Sequence, residues 1–223
     1  MVVFAQGKTV TPSQFDRDPL HWGIQVGYTH SKFDLRYSED ATLRETLQGT
    51  TSYYAPGFHV AFVGDLRLGK WFNLRAIPGV TLVTREISYS WESSYLATHR
   101  LAERSRNVES VYADFPIEFK LRSVPYGKFR PYLTAGASYG FDLASFRKNR
   151  NQTNQSIIRL EPSDLRYTMG VGFDVFLTYV KFAIEMKMAF GIPDLKVEDP
   201  EIYIRSFDYL HTRTFMLSFT FEG

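Results

Sequence analysis

Apolar and polar residues alternate one for one along most of this chain, and a period of two marks a β-strand whose two faces meet unlike surroundings. The clearest run sets Val111, Ala113, Phe115, Ile117, Phe119 and Leu121 against Tyr112, Asp114, Pro116, Glu118, Lys120 and Arg122. Three runs precede it: Trp22, Ile24, Val26 and Tyr28; then Phe58, Val60, Phe62, Leu66 and Leu68; then Phe72, Leu74, Ala76, Pro78, Val80 and Leu82. Four follow: Pro131, Leu133, Ala135, Ala137, Tyr139 and Phe141; Tyr167, Met169, Val171, Phe173 and Val175; Phe182, Ile184, Met186, Met188 and Phe190; and Phe215, Leu217, Phe219 and Phe221. Helical spacing appears nowhere at comparable length. The reading is eight strands, with a bulge expected at Pro116, which cannot donate to a ladder.

The connections alternate as well. Gly69-Lys70, residues 124–128 and Thr178-Tyr179 have hairpin length, whereas residues 36–56, 88–109, 143–164 and 193–211 form long, polar, charged joints. Short turns on one side, long joints on the other and both termini on the short side predict an all-β fold. Specifically, they predict an eight-stranded antiparallel transmembrane β-barrel with short periplasmic turns and long extracellular loops.

A soluble barrel with its apolar face turned inward would show the same alternation, and composition helps to separate the two. Mean hydropathy is −0.23 although aromatics make up 16% of residues, and no apolar run reaches half of the roughly 18 residues that a spanning helix needs. A strand of about 11 residues is roughly 36 Å long and spans about 28 Å at a 40° tilt, close to the apolar band of about 25 Å in such barrels. The polar face carries Asp65, Arg67, Arg75, Asp114, Glu118, Lys120, Arg122, Arg130, Asp174, Lys181, Glu185 and Lys187, both signs together, as a packed polar lumen requires. The closing strand is aromatic at Phe215, Phe219 and Phe221. These features favour the membrane barrel and an outer-membrane location. A net charge of only +2 argues against nucleic acid as a partner, and the absence of cysteine removes disulfides, thiolate zinc sites and cysteine nucleophiles.

The same residues give no catalytic, cofactor-binding or metal-ligating set, so neither an enzyme nor a cofactor protein is expected. Asp114 and Glu118 share a face but stand about 13 Å apart, beyond the roughly 5 to 9.5 Å of paired glycosidase carboxylates. They read as lumen ion-pair members, Glu118 beside Lys120 on its own strand and Asp114 within reach of a cation on a neighbouring strand. Arg130, Glu185 and Lys187 are expected in the same network. His21, His30, His59, His99 and His211 lack metal spacing and read as solvated or interfacial side chains. Gly170 and Gly172 lie within a strand and lack the helix N-terminus that a phosphate loop needs. The sequons at Asn151 and Asn154 read as chance in a bacterial outer-membrane context. Eight strands leave an interior that side chains fill, so no diffusion pore is expected. Residues 1–20 read as an export-signal remnant and a tail, since the small residues Val3 and Ala5 stand three and one places before Gln6. Residues 21–223 read as the barrel.

Several segments in order carry a family likeness: His21-Trp22-Gly23-Ile24-Gln25-Val26-Gly27-Tyr28; Gly64-Asp65-Leu66-Arg67-Leu68, with Asn73-Leu74-Arg75 and Pro78-Gly79; and Phe129-Arg130-Pro131-Tyr132-Leu133. Glu161-Pro162-Ser163-Asp164, Gly170-Val171-Gly172-Phe173-Asp174 and Phe182-Ala183-Ile184-Glu185-Met186-Lys187 complete the set. Together they resemble the PorT (SprT) family of the type IX secretion system. The resemblance implies a non-enzymatic outer-membrane barrel needed for protein export and, in some bacteria, linked to gliding motility. It implies outer-membrane lipid and other secretion-system proteins as partners, with no nucleic acid and no small-molecule substrate, and brings no catalytic or ligand residue with it. The competing readings are a small structural or adhesion barrel and a barrel-embedded lipid-modifying enzyme.

Overall fold

The computed structural model describes residues 15, 17–37, 47–91, 105–143, 163–193 and 207–223. Ten strand segments run in chain order: β1 Leu20–Tyr37, β2 Leu47–Tyr53, β3 Ala55–Arg67, β4 Phe72–Ala76, β5 Gly79–Trp91, β6 Ser105–Arg122, β7 Phe129–Asp142, β8 Ser163–Phe176, β9 Lys181–Gly191 and β10 Phe207–Glu222. Only Tyr54 separates β2 from β3, and only Ile77 and Pro78 separate β4 from β5. Each of these pairs is one stave, so the wall has the eight staves that the alternation predicts. All neighbours are antiparallel, and the sheet closes because β1 bonds to β10 on one side and to β3 on the other.

The gap between β4 and β5 is where the expected bulge at Pro116 has to be corrected. Ala76 pairs with Ile117 and Gly79 with Asp114, so the register is the same on both sides of the gap and no residue is inserted. Ile77 N–H donates to the Pro116 carbonyl at 3.0 Å, but proline has no N–H to return. On the other flank Phe62 N–H donates to the Pro78 carbonyl at 2.9 Å, and Pro78 likewise returns nothing. In an antiparallel ladder a residue's N–H and C=O point to the same neighbour. The missing donor of Pro116 therefore faces β4 and β5, and pairing with β7 runs unbroken through Pro116 and Ser138.

All three short turns are present. Leu68 N–H and Gly69 N–H both donate to the Phe72 carbonyl, and Leu177 N–H donates to the Val180 carbonyl at 3.0 Å. Tyr126 and Phe129 exchange both backbone bonds around Gly127-Lys128, with Gly127 at φ +62°, a left-handed backbone that favours glycine. On the opposite side the strands outrun the alternation. β1 continues to Tyr37, β5 to Trp91, β6 starts at Ser105, β10 at Phe207, and β2 occupies part of the joint 36–56. All four long joints are therefore partly strand, the joint 143–164 only at Ser163 and Asp164. Beyond the bilayer both faces of a strand meet water, so pairing persists without the hydrophobic alternation that would reveal it. The rest of these joints, most of the joint 143–164 and the proposed signal remnant at residues 1–5 lie outside the described residues.

The barrel is apolar outside and polar inside. Trp22, Phe62 and Ile117 are 66, 69 and 58% exposed, whereas Asp65, Arg75, Glu118 and Lys120 are all 0% exposed. That arrangement is the reverse of a soluble barrel: the exposed apolar face requires lipid, and no helix of the described residues is long and apolar enough to cross a membrane.

Candidate functional site

The lumen is built from two unlike walls. β4 and β6 to β9 send in most of the charged side chains, while β1, β3, β5 and β10 face them mainly with small ones such as Thr29, Ser31, Ala61, Val63, Thr81, Thr214 and Ser218, with His59, Asp65 and Glu222 among the exceptions. Long chains therefore reach across without collision, and opposite charges meet across strands. Among the described residues eight buried carboxylates face seven buried cations, close to the neutrality that a water-poor interior demands.

The pairs lie in tiers. Nearest the short turns, the Lys181 ammonium donates to Glu222 at 2.5 Å and Asp65 at 3.5 Å, and the Asn73 amide also donates to Asp65. Above it, Lys120 meets Asp174 at 2.7 Å and Arg75 meets Glu185 at 2.8 Å. Lys187 then bridges Glu185 at 3.0 Å and Glu118 at 2.6 Å. Higher still, Arg166 holds Asp114 and approaches Asp164 at 3.7 Å, while the Thr81 hydroxyl donates to Asp114 and shares a 2.8 Å bond with His59. Between these upper tiers lies a cavity of about 30 Å³, bordered by Gln25, His59, Thr81, Asp114, Glu118 and Lys187. That volume suits one or two water molecules and no larger solute.

Several expectations are corrected here. Lys120 and Glu118 do not pair with each other: their side chains stand parallel on one strand, and each finds its partner across the lumen, Asp174 and Lys187 respectively. The cation for Asp114 comes from β8, one strand beyond the neighbour, and crosses β7 at Gly140. A Cβ at Gly140 would lie 2.7 Å from Asp114 Oδ1 and 2.6 Å from an Arg166 nitrogen, so glycine keeps that path open. Arg130 is buried in the lower lumen with its guanidinium 5.3 Å from the Phe176 ring centre. His59 and His21 are neither solvated nor interfacial: both occupy lumen-facing register and are 2 and 6% exposed. His30 bonds the Tyr28 hydroxyl, His211 bonds the Gly191 carbonyl, and His99 lies outside the described residues. Gly170 and Gly172 sit in β8, within the barrel wall.

The His59–Thr81–Asp114–Arg166 tier is not legible as a unit, because its members are far apart in sequence and only Gly140, in register between Asp114 and Asp164 and two positions from the Arg166 row, hints at the crossing. Phe15, which packs on His21 below the lumen, gave no sequence signal at all.

The family that the sequence matches agrees with this architecture. The outer membrane protein beta-barrel domain family matches residues 4–197. No curated protein matches the chain. Among solved structures, Neisserial surface protein A is similar at 9% identity and a TM-score of 0.43, over 89% of this chain and 95% of that one. OprG from Pseudomonas aeruginosa is similar at 13% identity and a TM-score of 0.42, over 92 and 94%. Ail, the attachment invasion locus protein of Yersinia pestis, crystallised with the heparin analogue sucrose octasulfate, is similar at 12% identity and a TM-score of 0.40, over 92 and 100%. With most of its length matched, a closed wall that is apolar outside and a lumen filled with paired charge, this chain belongs to the outer membrane protein β-barrel domain family and resides in the outer membrane.

Proposed function

We propose that this protein is a non-enzymatic barrel that serves protein export by the type IX secretion system and acts through its extramembrane rims and lipid face. The observation that carries the first half of this reading is the filled lumen: ion pairs cross it at successive levels, which leaves its outer surfaces as the places to meet a partner. The type IX assignment rests on the ordered sequence segments that resemble the PorT family. Many of them supply the lumen pairs, including Asp65, Arg75, Asp174, Glu185 and Lys187. The test is a deletion strain scored for secreted cargo. The expected result is cargo held in the periplasm with the outer membrane intact, restored by the wild-type gene and lost again on shortening at least one of the joints 36–56, 88–109, 143–164 or 193–211.

A second reading, a structural or adhesion barrel, draws on the strands that continue past the alternating region: β1, β2, β5, β6 and β10 raise paired sheet on the long-joint side. Normal cargo secretion in the deletion strain, together with altered surface attachment or envelope integrity, would select this reading over the first.

A further inference from the structure

Just ahead of β1, residues 17–19 turn at the lower end of the barrel. Arg67 N–H donates to the Pro19 carbonyl at 2.7 Å, which fastens this approach to the lower end of β3. Phe15 lies outside every strand, yet it is only 8% exposed. Its ring lies on His21 with centres 3.7 Å apart and planes at 19°, and meets Phe176 edge-on at 5.9 Å. The Lys181 ammonium stands 4.4 Å from the centre of the same ring. That ammonium belongs to the lowest ion cluster, with Glu222 and Asp65.

The wall does not need this ring. Pairing of β1 is complete on both sides, from Leu20 with Leu66 and from Gly23 with Glu222. What the ring does is lie over Lys181 at the short-turn mouth, combining aromatic stacking on His21 with a cation–π contact to the charge beneath it. Uncovered, Lys181 and its two carboxylates would face bulk water, where screening weakens their attraction and solvent can enter the lower lumen. Phe15 is held by ring contacts, so it can leave its seat without breaking any strand pairing.

We propose that Phe15 is a stopper seated in the short-turn mouth, and that its seating controls access of water and small solutes to the lower lumen from the periplasm.

Because the sequence contains no cysteine, a single reporter can test this. Ala183 is 1% exposed and is the next lumen-facing residue above Lys181 on β9, so Ala183→Cys places a thiol behind the stopper. The full chain, refolded in detergent micelles, is treated with a cationic methanethiosulfonate reagent, and only the fraction that resists SDS at room temperature is scored. The expected modification is slow with Phe15, at least ten-fold faster with Phe15→Ala, and slow again with Phe15→Trp. Equal rates with Phe15 and Phe15→Ala would overturn the proposal. A second measurement covers the case in which the alanine variant does not fold. With Trp22, Trp71 and Trp91 changed to Phe, Phe15→Trp provides the sole indole, whose fluorescence acrylamide is expected to quench several-fold less than free tryptophan. Quenching equal to that of free tryptophan would place the residue in solvent and refute the stopper.

Discussion

Glu118 is fully buried and accepts from Lys187 at 2.6 Å, while Lys187 also holds Glu185 at 3.0 Å. Removing the Glu118 carboxylate leaves a desolvated ammonium with one anion instead of two, so Glu118→Ala is expected to destabilise the barrel by about 1 to 3 kcal/mol. The remaining bond to Glu185 keeps the loss at this modest level. Adding Lys187→Met to Glu118→Ala removes the stranded charge and is expected to recover part of the loss. Urea unfolding of the two variants in micelles measures both effects. That Glu118 faces the lumen was legible from its place between Ile117 and Phe119. Its partner was not, because Lys187 lies 69 residues away and is brought close only by the strand order and the reach of a long side chain.

At the level of strands, the interrupted stave β4–β5 turns on hydrogen-bond accounting. Pro116 withholds one donor from Ile77, and Pro78 withholds another from Phe62, inside a wall where lipid supplies no substitute. Pro116→Ala restores an N–H that points at the Ile77 carbonyl. The expected result is a gain of about 0.5 to 1.5 kcal/mol in urea unfolding and slower amide exchange at Ile77. A fall in stability would mean that the ring's packing on the lumen side outweighs the missing bond. The membrane-spanning parts of the staves were legible because lipid on one face and paired charge on the other impose the alternation, as Val111, Ala113 and Phe115 show against Tyr112 and Asp114. β2 and the outer parts of β1, β5, β6 and β10 escaped notice where that contrast between faces ends. The Pro116 signal was real but was misassigned, since sequence records a missing donor without saying whether the ladder bulges or merely skips a bond.

Across the whole molecule the filled lumen predicts an electrically silent protein. Reconstituted in planar bilayers, it is expected to show no steady conductance of porin size, and a large, lasting open level would contradict the tiers of paired side chains. Closure of the wall carries a further consequence, for assembly. Ile24 pairs with Phe221 and Val26 with Phe219, so the seam joins segments from opposite ends of the sequence. Such contacts close a loop of nearly the whole polypeptide and favour slow maturation. Until β10 meets β1, an unfinished sheet has two unpaired edges, and its strands bear faces that suit neither water nor lipid alone. The newly exported polypeptide is thus most open to aggregation and proteolysis before its seam is zipped, and holdase chaperones together with an insertion catalyst would have their greatest effect in that interval.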